Sequence, residues 1–119
     1  MDEKGLDLIQ FNRNPDLLLQ VVEQIKKDFG MFAIGIEFSG DPKQAYAELF
    51  GQLHAHLKTL EHSNKQKFIS ILYRVDLSEQ QIAKAMQQHP SDTFTAIVAD
   101  LILKRELQKV ILRNQSKYL

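Results

Sequence analysis

Apolar residues in this chain recur mainly with a helical period. Leu17, Leu18, Val21, Val22, Ile25 and Phe29 share one face at about 100° per residue. Asn14 suits an N-cap and Pro15 a first helical position, so a helix is predicted over about 15–29. Gly30 is expected to end it in the left-handed conformation. Between 31 and 38 the period changes: Phe32, Ile34, Ile36 and Phe38 alternate, as in a strand. A single strand needs a partner. This segment therefore pairs with residues 5–11, pairs with a second copy of itself, or packs on helices as an extended apolar loop.

Asp41 and Pro42 open a second helix that should run to about Glu61, with Ala45, Tyr46, Leu49, Phe50, Leu53, Leu57 and Leu60 in one continuous apolar arc. Ala47, Gly51 and Ala55 form a small-residue stripe on its other side, a candidate helix–helix seam. A third helix is predicted over about 64–75, with Phe68, Ile69, Ile71, Leu72 and Val75 facing inward. The fourth has the strongest start signal: Ser78 as cap, Gln81 completing a capping box, and Leu77 with Ile82 as a hydrophobic staple. It should end near Gln88, ahead of Pro90. The last helix is predicted from about Asp92 toward Gln115. Phe94, Ile97, Val98, Leu101, Ile102 and Leu103 make its early turns apolar on several sides, the mark of a central or interfacial helix.

The fold class is thus all-α or nearly all-α: a bundle of four to five helices with one short extended segment at about 31–38. Its 119 residues form a single helical domain, with 1–13 read as a strand, a short helix or a loosely packed arm. The apolar share of 44% and charged share of 25% are those of a globular chain. The absence of cysteine excludes disulfides, thiolate metal sites and cysteine nucleophiles, and suits a cytoplasmic location. Neither a signal peptide nor a membrane span is expected.

Charge is balanced overall but not locally. Residues 1–60 carry six basic and nine acidic side chains, and residues 61–119 carry nine and six. Arg105, Lys109, Arg113 and Lys117, each four apart, line one face of the last helix and form a candidate basic docking stripe. Asp100, on an otherwise apolar segment, is expected to pair with a basic side chain such as Arg74. Glu37 should face solvent. His54 and His56 are two apart on a helix and point to different sides, whereas a helical metal pair needs a spacing of three or four. The glycines at 30, 35 and 40 match no phosphate-binding loop, and no nucleophile elbow is present. No catalytic residue, metal site or cofactor is assigned.

Leu77 to Met86, with Ile82, Ala83 and Met86 at fitting positions, resembles the first helix of a helix-turn-helix DNA-binding unit. The resemblance covers this segment alone. Gln87 and Gln88 stand where that family has a glycine and an apolar residue, and the following helix opens Asp92-Thr93-Phe94-Thr95 without a base-reading Arg or Lys. The expected function is a non-catalytic protein–protein interaction or assembly module, self-associating as a homodimer or binding an unidentified protein. The alternative is a nucleic-acid-binding helical domain built on residues 77–96.

Overall fold

The computed structural model describes residues 14–116. It is an all-α bundle of five helices: α1 (Pro15–Gly30), α2 (Ala45–Ser63), α3 (Lys65–Val75), α4 (Glu79–Gln88) and α5 (Phe94–Ser116). A short 3-10 turn, Pro42–Gln44, precedes α2. The expectations for residues 1–13 and for Lys117 lie outside the described residues.

α5 is the axis of the bundle, and the other four helices pack on it. Val98, Ala99, Ile102, Leu103, Leu107 and Val110 are all buried. The many-sided apolar character of this helix is therefore met within one chain. α1 and α2 contribute the ridges Val21–Ile25–Phe29 and Leu49–Leu53–Leu57, which join the same core. Phe68 of α3 stacks with Phe94 at the start of α5, ring centroids 5.9 Å apart.

Local chemistry sets most boundaries. Asn14 Oδ1 accepts from the Leu17 amide, and Asn64 Oδ1 accepts from the Lys67 amide, each at 3.0 Å. The capping box of α4 is complete: Ser78 Oγ accepts from the Gln81 amide at 3.1 Å, and Gln81 Oε1 accepts from the Ser78 amide at 2.9 Å. Thr93 Oγ1 accepts from the Ala96 amide at 3.3 Å, so α5 starts two residues later than its pattern suggested.

Three expectations are resolved, the first and third as corrections. Gly30 is not the left-handed stop; it is the last residue of α1, and Ala33 takes the left-handed conformation with φ 60°. The Ile34 amide donates to the Phe29 carbonyl at 3.1 Å, and the Ala33 amide to the Gly30 carbonyl at 3.1 Å, the paired bonds of a Schellman motif. Buried Phe29 and Ile34 supply its apolar contact, and this fixes the stop at Ala33. Secondly, residues 34–39 form no strand among the described residues, so the segment takes the packed-loop alternative left open for it. Ile34 and Ile36 still point into the core. The backbone of Glu37 is satisfied by a side chain: Gln52 Oε1 accepts from its amide at 2.8 Å, and Gln52 Nε2 donates to its carbonyl at 2.7 Å. Thirdly, Ile69 is not buried but 52% exposed, because no element covers the side of α3 on which it lies.

Replacing Ser78 with Ala should destabilise the fold by about 1 kcal/mol, read as a lower denaturant midpoint at unchanged slope. Ala33→Gly should act in the opposite sense, raising stability by roughly 0.5–1 kcal/mol, because glycine takes positive φ without strain. A lowered midpoint for the glycine variant would show that the left-handed turn is not formed in solution.

Candidate functional site

A polar cluster is built into the junction of α1, α3 and α5. Asp28 on α1 follows Ile25 by three residues, which turns it inward on the apolar face of that helix; it is 1% exposed. Arg74 Nε donates to its Oδ1 at 2.9 Å, Gln24 Nε2 lies 3.1 Å from both of its oxygens, and Lys109 Nζ reaches Oδ2 at 3.3 Å. Lys109 also donates to the Arg74 carbonyl at 3.2 Å. Glu106 stands between Ile102 and Val110 on α5, each one turn away and fully buried, and is itself 0% exposed.

Glu106 is the unusual member. Neither of its oxygens accepts a hydrogen bond, although Lys109 Nζ is 3.3 Å from Oε1. The side chain it meets is the carboxyl of Asp28. Two carboxyl groups in contact are held together only by a proton between them. Burial, reinforced by the hydrogen bond to Asp28 and by its charge, pushes Glu106 up to about 8; Lys109 opposes this. Burial also acts upward on Asp28, but hydrogen bonds from Glu106, Gln24 and Lys109, together with the charge of Lys109, outweigh it and hold that carboxyl below its ordinary value. At neutral pH Glu106 is therefore the proton donor and Asp28 the ionised acceptor. The pair lines none of the hollows described below.

The surface above this junction is apolar. Residues of α3 and α4 line a hollow of about 490 Å³ floored by Phe68, Leu72, Ile82 and Phe94. A further hollow of about 190 Å³, under Tyr73 and Leu77, shares Ile69, Leu72, Glu79 and Ile82 with the first and extends it. Ile69, Tyr73 and Met86 are 52%, 82% and 42% exposed around this groove. Glu61, Glu79 and Lys65 supply charge at its edge. A smaller hollow of about 140 Å³ lies between α4 and α5. Of its two acids, Asp92 and Asp100, the second is already engaged by Tyr46 Oη at 2.5 Å and Lys104 Nζ at 2.9 Å.

The structure distributes the residues singled out in the sequence as follows. Arg105 joins Asp76 at 2.9 Å and Gln108 at 2.8 Å, Lys109 belongs to the buried cluster, and Arg113 donates to Gln24 at 2.9 Å. These three members of the stripe are thus engaged within the chain. Ala47, Gly51 and Ala55 are all exposed, and a Cβ on Gly51 would meet nothing within 4 Å, so no helix of the same chain packs on that seam. Asp100 pairs with Lys104, one turn on, in place of Arg74, which is taken by Asp28. His54 Nε2 lies 3.0 Å from Thr95 Oγ1. Among the described residues no group of three His, Asp or Glu is arranged to hold a metal, and no helix is long and apolar enough to cross a membrane. The Asp28–Glu106 pair was missed in the sequence, although each acid sits at helical spacing inside an apolar ridge.

Comparison of the chain with protein-family models, with curated proteins and with solved structures gives no match.

The raised group gives stability a definite pH dependence. An unfolded chain ionises Glu106 near 4.5, whereas the folded chain keeps the proton to about 8. In that window the folded state binds more protons, so stability falls as pH rises, by at most about 1.4 kcal/mol per unit from this group. Asp28 contributes in the other direction, and its contribution is lost as pH falls through its lowered value. Glu106→Gln should remove the decline above pH 4.5 and make the variant more stable than the wild type at pH 8. Equal slopes in the two proteins, measured by urea unfolding across this range, would show that Glu106 is ionised in the fold.

Proposed function

We propose that the protein is a non-catalytic interaction module of the cytoplasm that receives an amphipathic helix of a partner protein in the α3–α4 groove. The observation that carries this reading is the groove: an apolar trough with Ile69, Tyr73 and Met86 exposed around it. Large apolar side chains gathered at one exposed place mark interaction surfaces, whereas scattered ones do not. Walls from two helices over an apolar floor suit the helix-in-groove mode, read by anchors at i, i+3, i+4 and i+7. Glu61 and Glu79 against Lys65 leave the edge acidic by one charge, which favours a helix with basic flanks.

The described residues offer no ridge by which a second copy could fill the groove. Outside the groove, the large exposed apolar residues among those described are Leu19, Met31 and Leu112. This favours a partner helix over self-association. The nucleic-acid alternative has less support. α5, which would have to act as the reading helix, opens with Thr95, Ile97, Val98 and Ala99 buried and so has little face to offer a DNA groove.

The probe is a short helical peptide with a leucine stripe and arginine flanks, followed by fluorescence anisotropy. Micromolar binding is expected, with Ile69→Glu and Met86→Glu each weakening it roughly tenfold or more, about 1.4 kcal/mol. Both positions are exposed, so circular dichroism should be unchanged. Undiminished binding by these variants would overturn the assignment of the groove. Sedimentation as a dimer that Ile69→Glu dissolves would place a second copy there in the partner's stead.

A further inference from the structure

The groove wall and the buried acid pair are mechanically joined. Arg74 is in the last turn of α3, the residue after Tyr73, and its guanidinium is held by Asp28 at 2.9 Å. The same turn is held by Lys109 through the Arg74 carbonyl and by Arg105 through Asp76. α4 follows after only two residues, Leu77 and Ser78, and is fixed to α3 by the bond from the Leu77 amide to the Leu72 carbonyl at 3.0 Å. The placement of the C-terminal end of α3 relative to α1 and α5 thus rests on these contacts, while α4 also packs on α5 directly.

We propose that one proton shared by Asp28 and Glu106 controls how firmly the α3–α4 groove holds its occupant, an inference that rests on the groove being a docking site. The charged groups around this proton are Asp28 from α1, Arg74 from α3 and Lys109 from α5 itself; no charged group of α2 or α4 acts on Glu106. With the proton present, Glu106 donates to Asp28, and the single charge of Asp28 is satisfied by Arg74, Gln24 and Lys109. When it leaves, two buried carboxylates face one another, and the ion pair that reaches Glu106 among the described residues is the one from Lys109. Lys109 is the nearest cation and is 3.3 Å from both acids. Relief comes by drawing Lys109 to Glu106 and by turning Asp28 outward with Arg74, which is the more exposed of the two cations. That movement releases the anchor of α3 and slackens the groove. Mildly acidic conditions therefore favour the bound state, and alkaline conditions favour release.

The experiment has two arms, both on the full chain. In the first, carbon-detected NMR follows the Glu106 carboxyl and the Arg74 Nε–H of the free protein from about pH 6.5 to about pH 9. The expected result is that the two signals move together. In the second, affinity for the arginine-flanked leucine peptide, acetylated at its N-terminus, is measured over the same range. Affinity is expected to drop roughly fivefold or more between the ends of the range, and Glu106→Gln, whose amide still donates to Asp28, should bind tightly at both. An Arg74 signal that stays fixed while Glu106 titrates, or a wild-type affinity that is flat with pH while Arg74 moves, overturns the coupling. Absence of peptide binding at every pH, with the co-titration intact, sinks the docking reading and with it the control of docking, but leaves the shared proton demonstrated.

Discussion

A 23-residue helix with apolar residues facing several directions has to be enclosed, and α5 is enclosed by all four of the other helices. The remaining architecture follows from that requirement. α1 and α2 cover two sides with continuous aliphatic ridges. The extended segment between them returns the chain while adding Ile34 and Ile36 to the core, its backbone served by Gln52 where a strand neighbour would otherwise be needed. α3 and α4, of 11 and 10 residues, are too short to complete the sheath, and the uncovered strip becomes the groove.

Within this apolar enclosure the Asp28–Glu106 cluster is the exception. Buried charge is expensive unless paired, and replacing such a network with well-packed apolar groups is often neutral or stabilising. Its contribution here is positional. Apolar ridges alone allow helices to slide by a turn, whereas the Arg74–Asp28 and Lys109–Asp28 contacts fix the register of α1 and α3 against α5. The proton on Glu106 makes the arrangement tolerable, since it converts a facing pair of acids into donor and acceptor.

How much of this was legible in the sequence depended on the range of the forces involved. The capping box at Ser78 was, because every atom in it belongs to residues three apart. The number of helices and the central place of the last one were legible from periodicity. The stop of α1 was read at the wrong residue: glycine is the usual occupant of a left-handed position, but here the apolar contact between Phe29 and Ile34 selects Ala33. Ile69 looked like a core residue, and nothing local distinguishes an apolar residue that is covered from one that is not. The acids at 28 and 106 are 78 positions apart in the chain, and their spacing within each ridge shows only that each turns inward, not that they meet. The basic face of α5 was visible as a pattern, but its engagement with Asp76, Asp28 and Gln24 is a tertiary fact.

The corner between α3 and α4 has a consequence for the order of assembly. It is fixed by bonds between residues at most five apart: Leu77 to Leu72, Asp76 to Tyr73, and the reciprocal pair of Ser78 and Gln81. Such short-range closures form quickly and with little loop entropy to overcome, so this helical hairpin is a natural early structure. The contacts that orient it bridge 46 residues in Arg74–Asp28 and 29 in Arg105–Asp76, and they wait on chain that closes more slowly. During synthesis the hairpin would emerge before α5 exists to support it. Its apolar strip would then be exposed on a nascent chain, open to any hydrophobic segment nearby until the closing helix arrives.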